Sequence, residues 1–251
     1  MVYPLFEFYF DQITQKYELD LPISILTSAL LKQFYAGSTR HYHSLNHIED
    51  CLRQLSEYEF SLEKSKCDID LIALGIIFHD SIYIPTASDN EESSALLMET
   101  VMWRSLMEVS NITLVKAMIL ATKHKEFNPI ANYNINTQLL LDIDLSSLGY
   151  DREKFNKNNN DIRSEYSFIS NKQFYTGRVK FLSELLAWER LYYTDYFYEK
   201  YEKRARENIE NEIKQIKLIS EKENMLQSFV DGDMVTVIQQ PDDVEIDYVE
   251  D

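Results

Sequence analysis

Glycine and proline are scarce in this chain, with five of each among 251 residues. Because these two residues mark most tight turns between strands, their scarcity argues against many short strands and favours helices. Long apolar runs are also missing, and none approaches the roughly 20 residues that a membrane span requires. We therefore expect a helical protein with no contact with the membrane.

Cysteine is nearly absent as well. The two that occur, Cys51 and Cys67, lack the spacing of a zinc motif or a disulfide framework, which predicts reduced thiols. The first residues lack a basic segment and soon meet Glu7, so they do not resemble a secretion signal. These features together predict a cytoplasmic location.

Positive charge is missing from the end of the chain. No lysine or arginine follows Lys222, and nine acidic residues there account for about half of the formal net charge of −17. This balance argues against an extended nucleic-acid surface but allows a small phosphate pocket. We predict a helical domain over 1–221 and an acidic, flexible tail over 222–251. Residues 234–238 could form one strand or a docking segment.

The most informative segment that is present is the apolar run Leu71–Phe78, which ends in His79 and Asp80. A helix that is apolar on all sides belongs in a core, and Asp68 is a suitable N-cap for it. Burying an imidazole beside a carboxylate is costly unless both have partners. A metal ion would be an economical partner for both groups.

Histidines concentrate ahead of this run. Three of the five in the chain are His41, His43 and His47, just before a helix with an apolar face. Polar loop residues that cap a helix would explain one of them. Three, placed before a His-Asp pair, favour metal-ligand and acid–base roles, because imidazole is the commonest metal ligand and titrates near neutral pH.

An acidic turn follows soon after Asp80. Asp89 and Glu92 have the spacing of a capping box, and acidic residues suit a helix N-terminus. Alternatively, Glu91 or Glu92 could reach a metal-bound water as a base or orienting group. The two interpretations are compatible.

Cationic side chains later in the chain are candidates for binding substrate. His124 is predicted in the last turn of a helix over 111–123, either as a surface residue or as a phosphate or second-metal contact. Lys123 could neutralise substrate charge beside it. Arg163 and Arg178 stand beside aromatic residues and are candidates for binding a substrate anion.

Two carboxylates, Asp142 and Asp144, interrupt the apolar run 139–149. Residues two apart point to different faces of a helix, so at most one should face the same centre as His79. The other is then a hydrogen-bonded or supporting carboxylate.

The order His47, His79-Asp80 and a later aspartate resembles the H…HD…D signature of the HD superfamily of metal-dependent phosphohydrolases. The resemblance covers about residues 3–218 and is strongest to a subgroup described as predicted metal-dependent HD phosphohydrolases. The segments that carry it are Arg40-His41-Tyr42-His43 with His47-Ile48, Phe78-His79-Asp80 with Tyr83, Asp89-Asn90-Glu91-Glu92 with Ser94-Ala95, Asp142-Ile143-Asp144-Leu145 with Leu148-Gly149, Ile162-Arg163 with Glu165-Tyr166, Gly177-Arg178, and Ala205-Arg206-Glu207-Asn208.

The resemblance implies an all-α, helical HD-domain bundle. It also implies that His47, His79, Asp80 and either Asp142 or Asp144 are the metal ligands. We prefer Asp144, because the segment that begins there is similar to the final metal-ligand segment of cyclic-nucleotide phosphodiesterases.

Those phosphodiesterases also carry a Tyr-His-Asn-x-x-His motif, in which the first histidine is a general acid. Residues 42–47 have that spacing, with Ser44 in place of the asparagine. By this resemblance, His43 protonates the leaving oxygen.

The function that the resemblance implies is metal-dependent hydrolysis of a phosphoester, and the expected substrate is a nucleotide or nucleotide-like small molecule. The mixed His/Asp ligand set is compatible with Mn, Mg, Fe, Co, Ni or Zn. One alternative is an HD-fold di-iron oxygenase, with His124 and Glu91 or Glu92 as extra ligands. Another is a non-catalytic regulatory protein that binds a metal or a nucleotide.

Overall fold

The computed structural model describes residues 4–61, 67–124 and 133–230. These residues form ten α-helices and one short 3₁₀ helix, and no strand occurs among them, which confirms the all-α prediction. None of the described helices is long and apolar enough to cross a membrane. The helices are α1 (Leu5–Lys16), α2 (Leu21–Tyr35), α3 (Leu45–Glu59), α4 (Ile69–Phe78), α5 (Asn90–Met102), α6 (Val109–Ala121), α7 (Ile135–Leu145), α8 (Arg152–Glu165), α9 (Asn171–Leu186) and α10 (Asp195–Val230), with the 3₁₀ helix at Ser146–Gly149.

Helix α4 is the centre of the core, as its uniformly apolar sequence predicts. Every residue from Leu71 to Phe78 is buried, and α4 packs against α1, α3, α5, α6 and α7. The predicted N-cap is confirmed, because the Asp68 carboxylate accepts a hydrogen bond from the Leu71 amide at 3.2 Å. A side chain at Gly75 would collide with Leu140 of α7, so glycine permits the close approach of these two helices. The end of α4 is therefore held rigidly inside the protein.

The end of α7 is held against α10 by a second close approach. A Cβ atom on Gly149 would lie 2.6 Å from Cβ of Tyr201. Nearby, the Asn208 amide donates to the carbonyl oxygens of Leu148 and Tyr150 at 2.8 and 2.9 Å. These contacts determine where the carboxylates near the end of α7 lie.

The start of α2 corrects a sequence-based boundary. The apolar pattern of residues 24–35 by itself predicts a helix that starts at Ser24, but α2 begins at Leu21. The Asp20 side chain accepts from the Ile23 amide at 3.3 Å, and Pro22 suits a first helical turn because its missing N–H is not needed there. The cap and the proline therefore start the helix before the apolar pattern does.

The end of the helical part also differs from the prediction. Helix α10 continues to Val230, past the predicted boundary at 221, because residues 214–230 contain no glycine or proline to end it. The chain divides into two compact units, the first ending at Ile213 and the second beginning at Lys214. The predicted strand or docking segment at 234–238, and the tail around it, lie outside the described residues.

Candidate metal centre

Three helices bring four of the predicted metal ligands together. His47 lies in the first turn of α3, His79 and Asp80 follow the end of α4, and Asp144 lies near the end of α7. We call these four residues the His/Asp cluster. Nε2 of His79 lies 3.0 Å from Oδ2 of Asp80 and 3.4 Å from Nε2 of His47. Oδ1 of Asp144 lies 3.4 Å from Nε2 of His47 and 3.5 Å from Nε2 of His79.

Most of these spacings are close to those of ligands around a single cation, and Nε2 of His47 and Oδ2 of Asp80 lie somewhat farther apart, at 3.7 Å. Ligand atoms about 2.1 Å from one metal ion lie roughly 3.0 to 3.4 Å from one another in octahedral or tetrahedral geometry. The Nδ1–H group of His79 donates to the Ile76 carbonyl oxygen at 2.8 Å, which leaves Nε2 facing the cluster. Metal-binding histidines are commonly oriented in this way. His47, His79 and Asp80 could therefore hold a metal ion.

The electrostatics of the cluster also favour a cation. Burial opposes ionisation of Asp144, but hydrogen bonds with His124, His47 and His79 hold the pKa of its carboxyl well below the usual range. Burial likewise opposes ionisation of Asp80, and the neighbouring imidazoles, His79 foremost, lower its pKa. Two carboxylates thus remain charged in a mostly buried place, which requires positive charge beside them.

Arg40 ties the histidine-rich loop to the end of α4. Its guanidinium donates to the carbonyl oxygens of His43, Asp80 and Ser81 at 3.0, 2.6 and 2.9 Å. It also lies over the ring of Tyr83, 5.7 Å from the ring centre. The sequence pattern assigned no separate role to Arg40. Its position directly ahead of the histidines was the available signal.

His43 forms a pair with Glu165, a residue to which the sequence had assigned no role. Nδ1 of His43 lies 2.6 Å from Oε2 of Glu165, whose other oxygen accepts from the amides of His41, Tyr42 and His43 at 2.8 to 2.9 Å. The His43 ring also stacks on Tyr83 at 4.1 Å.

The position of Glu165 in the sequence gave an indication that its side chain has a partner. It is the last residue of α8, where the helix dipole disfavours an acidic side chain. A buried carboxylate in that position therefore has a partner elsewhere in the protein.

Replacing Glu165 by glutamine is expected to destabilise the protein more near pH 6 than near pH 9. Burial lowers the pKa of His43, but Asp80 and Glu165 raise it more, so the pKa of His43 lies above its ordinary value. Burial raises the pKa of Glu165, but His43 lowers it more, so the pKa of Glu165 lies below its ordinary value. The histidine's stabilising contribution is full below its ordinary pKa of 6.5 and is lost as pH rises through the folded value. The stabilising contribution of Glu165 is full above its ordinary pKa of 4.5 and is lost as pH falls through the folded value.

Urea unfolding of wild type and Glu165→Gln at both pH values measures this difference. Glu153→Gln, the same change at an exposed position of α8, is the matched control and should show little pH dependence. An equal loss of stability at both pH values for Glu165→Gln would refute a charged pair.

The two aspartates of α7 have different surroundings, as their i, i+2 spacing predicts. Asp142 is fully buried, and its oxygens accept hydrogen bonds from the Tyr193 amide and from the Thr194 amide and hydroxyl at 2.6 to 2.7 Å. Asp144 faces the histidines instead. The oxygens of Asp142 are already engaged, so Asp144 is the better fourth ligand.

His124 contacts the other side of Asp144. Its Nε2 lies 2.9 Å from Oδ2, whereas Oδ1 faces His47 and His79. The residue lies beyond α6, which ends at Ala121, and not in its last turn as predicted. Its φ of 50° is in the left-handed region, which costs a non-glycine residue roughly 1 to 3 kcal/mol. Such strain concentrates at functional positions.

The two glutamates in the first turn of α5 have different roles. Glu91 lines a cavity beside the cluster, whereas Glu92 is half exposed and forms an ion pair with Lys123. The predicted capping box is wrong, because the Asp89 side chain makes no capping hydrogen bond among the described residues. Asn90 instead bonds to the backbone of Ile84. Lys123 is thus neutralised by Glu92.

Two cavities adjoin the cluster. One, of about 490 Å³, is lined by His43, Glu91, His124 and Asp144 and extends between α8 and α9, where Arg178 lines it; we call it the aromatic cavity. The other, of about 630 Å³, is more polar and lies along α3, beside His47.

Arg163 has a structural role that the sequence did not predict. Its guanidinium donates to the carbonyl oxygens of Tyr166 and Ile169 and to Oδ1 of Asn171, at 2.7 to 3.2 Å. It therefore joins α8 to α9. In the part of the chain that the structure describes, neither Arg163 nor Lys123 lines the two cavities.

No family model, curated protein or solved structure matches this chain. The His/Asp cluster, the His43–Glu165 pair and the adjoining cavities are therefore the basis on which a function can be inferred.

Proposed function

We propose that this protein is a metal-dependent hydrolase of a small phosphoester, of the HD type, and that its substrate is a nucleotide or nucleotide-like molecule. The observation that carries the proposal is the His/Asp cluster, in which His47, His79 and Asp80 are placed to hold one cation and Asp144 lies against both histidines. A ligand-sized cavity and a histidine held by a buried glutamate lie beside it. These are the elements that hydrolysis of a phosphoester requires.

The donor set fits a divalent metal ion. Two imidazole nitrogens suit a borderline transition metal such as Zn, Fe, Co or Ni, and two carboxylates also admit Mn or Mg. When bound, such an ion supplies positive charge for the phosphate oxygens and acidifies a water molecule. His47, His79, Asp80 and Asp144 would hold it.

His43 is suited to donate a proton to the leaving oxygen. Its Nδ1 is bonded to Glu165, so Nε2 is the nitrogen that remains for a substrate in the aromatic cavity. The stacking with Tyr83 and the hydrogen bond to Glu165 restrict the ring to one orientation. A fixed orientation is what general acid catalysis needs. Glu91, in the same cavity, is the candidate to orient the attacking water.

The test is hydrolysis of a panel of nucleotides and other phosphoesters, with Mn²⁺, Mg²⁺, Fe²⁺, Co²⁺, Ni²⁺ or Zn²⁺ added in turn. Free phosphate and product chromatography are both needed, because cleavage of a diester to a monoester releases no phosphate. We expect turnover that falls at least about 100-fold in Asp80→Ala, since loss even of a supporting group at a metal costs 10- to 100-fold. Absence of turnover with every metal, or full activity in Asp80→Ala, would refute the proposal.

A second candidate is a di-iron oxygenase. The observation that favours it is the contact of His124 with the second oxygen of Asp144, which places one further imidazole beside the cluster. Two equivalents of iron in the purified protein, with oxygen consumption and no hydrolysis, would support this candidate over the hydrolase.

A further inference from the structure

Helix α2 has an inverted arrangement of polar and apolar residues. Its buried side includes two hydroxyl residues and consists of Ser24, Thr27, Leu31 and Tyr35. The opposite side is apolar and exposed, and we call it the α2 face; it consists of Leu21, Pro22, Ile25, Leu26, Ala29 and Leu30. Leu21 and Leu26 are 70 and 69% exposed, and Ile25 is 61% exposed. A surface helix normally turns such residues toward the core, so this face calls for an explanation.

The rotation of α2 is fixed by contacts at its second half. Leu31 is fully buried, and the Tyr35 hydroxyl donates to the carbonyl oxygen of Ile77 at 2.8 Å. The guanidinium of Arg40 lies 5.2 Å from the centre of the Tyr35 ring. Turning the helix to bury the α2 face would withdraw Leu31 and Tyr35 from the core. The exposed leucines are therefore held outward by the packing of the same helix.

The α2 face is large enough to form a specific interface. Its side chains expose roughly 500 Å², so contact between two such faces would bury about 1,000 Å², the lower limit expected of a specific interface. Contiguous apolar patches of this size on a single chain often have a function.

The charge of the chain favours a second copy as the partner. No charged residue occurs between Leu21 and Leu31, whereas the whole chain has a formal net charge of −17. Two copies therefore repel each other, and an uncharged face lets identical chains meet without bringing like charges into contact. In a twofold symmetric contact the same residues face each other, and a face of leucine, isoleucine and alanine is complementary to itself.

A lipid surface fits this helix less well. Helices that lie on membranes carry several lysines or arginines on their polar side. The one basic residue of α2 is Lys32, and its Nζ lies 2.5 Å from Oε1 of Glu7. The negative charge of the chain would also repel anionic lipids.

Acidic residues border one edge of the α2 face. Glu7, Asp11 and Glu18 line the groove between α1 and α2. Leu26 and Leu30 are not among the described residues of that groove. A contact between two copies would therefore be centred on these leucines, with the acidic side chains at its solvated rim.

We propose that this protein forms a symmetric dimer through the α2 face, with Leu26 and Leu30 near the centre of the contact. Two helices that pack in this way interdigitate their side chains as helices in a core do. The inference goes beyond the proposed hydrolase function and does not depend on it, because the described residues of the two cavities beside the His/Asp cluster include none of the α2 face.

Sedimentation equilibrium of the full-length wild-type protein over a wide concentration range measures this self-association. We expect a monomer–dimer equilibrium that shifts toward the dimer as the salt concentration rises, because salt screens the repulsion between two negatively charged copies. A protein that stays monomeric at every concentration and ionic strength would overturn the inference. A monomer that binds vesicles of neutral phosphatidylcholine would also overturn it and would assign the face to a lipid surface.

Charged substitutions locate the interface on α2. Leu26→Glu and Ala29→Glu each place a carboxylate in the contact from both copies, and both positions are exposed in the single chain. We expect each substitution to raise the dissociation constant of the dimer at least about tenfold, because burying an unpaired charge is costly and symmetry doubles the change. Thermal unfolding shows whether each variant is folded.

Leu96→Glu is the matched control, since it makes the same change at an exposed leucine of α5. The dissociation constant of this variant should equal that of the wild type. Folded Leu26→Glu and Ala29→Glu proteins that dimerise as tightly as the wild type would overturn the assignment. A dimer that Leu96→Glu weakens as much as Leu26→Glu does would also contradict an interface confined to α2.

Discussion

Replacing Asp144 by asparagine is expected to reduce metal affinity and turnover by at least about 100-fold while the protein stays folded. One carboxylate oxygen lies 3.4 Å from His47 and 3.5 Å from His79, and the other lies 2.9 Å from His124. Asparagine has the same shape but carries no charge, and its amide nitrogen cannot act as a metal ligand. Metal content by mass spectrometry and the turnover number of the best substrate measure the effect.

The matched control is Asp70→Asn, at the other end of α4. Asp70 is also mostly buried, and it accepts hydrogen bonds from Lys16 and from Gln12. The chemical change is the same, but this carboxylate contacts none of the cluster residues among the described contacts. The control should therefore bind metal as the wild type does. If Asp144→Asn also kept its metal and its turnover, Asp144 would not be a ligand.

Replacing Asp142 by alanine is expected to lower the free energy of unfolding by about 3 kcal/mol. The substitution leaves the buried amide of Thr194, the amide of Tyr193 and the Thr194 hydroxyl without the acceptor that they use at 2.6 to 2.7 Å. Unpaired buried donors carry most of this cost. The His/Asp cluster keeps its composition, so the folded variant should still bind metal. Urea unfolding followed by circular dichroism measures the change.

A helix cap provides the comparison for this effect. The exposed side chain of Asp151 accepts from the Lys154 amide at 2.9 Å at the start of α8, and Asp151→Ala should cost about 1 kcal/mol. The cost at Asp142 should be clearly larger, because the donors that bond to it are buried and water cannot replace the lost carboxylate. Equal costs at the two positions would show that Asp142 does not anchor the segment before α10.

Local features of the chain were sufficient to predict the central helix and most of the cluster. The run Leu71–Phe78 has no polar face, so it had to be buried, and Asp68 supplies its cap from the sequence nearby. His79 and Asp80 follow that helix directly and are therefore held at its end. His47 precedes an apolar anchor on α3, which places it at the core. Each of these predictions depends on residues within a few positions of one another.

The choice between Asp142 and Asp144 could be narrowed but not made from the sequence. Helical spacing showed that the two point to different faces. It could not show which face meets α3 and α4, because that depends on how α7 is rotated in the core. Contacts with residues 193–194, which lie about 50 positions later, decide the matter.

Long-range partners account for the remaining differences between sequence and structure. Glu165 reaches His43 from 122 positions away, and nothing local distinguishes it from other acidic residues of α8 except its unfavourable place at the helix end. Arg163 and Arg178 look equivalent in the sequence, yet the first joins two helices through backbone oxygens and the second lines the aromatic cavity.

Periodicity and caps determine which residues form helices and which faces are buried, because these depend on neighbours along the chain. The partner that each buried polar group meets depends on the rotation and approach of whole helices. Packing across the core determines this rotation and approach, at positions such as Gly75 and Gly149 where only a glycine leaves room for the side chain of the neighbouring helix. The sequence alone was therefore enough to predict an all-α fold and a His/Asp group that could hold a metal ion. Only the tertiary structure shows the His43–Glu165 pair, the separate roles of the two aspartates and the cavities beside the cluster.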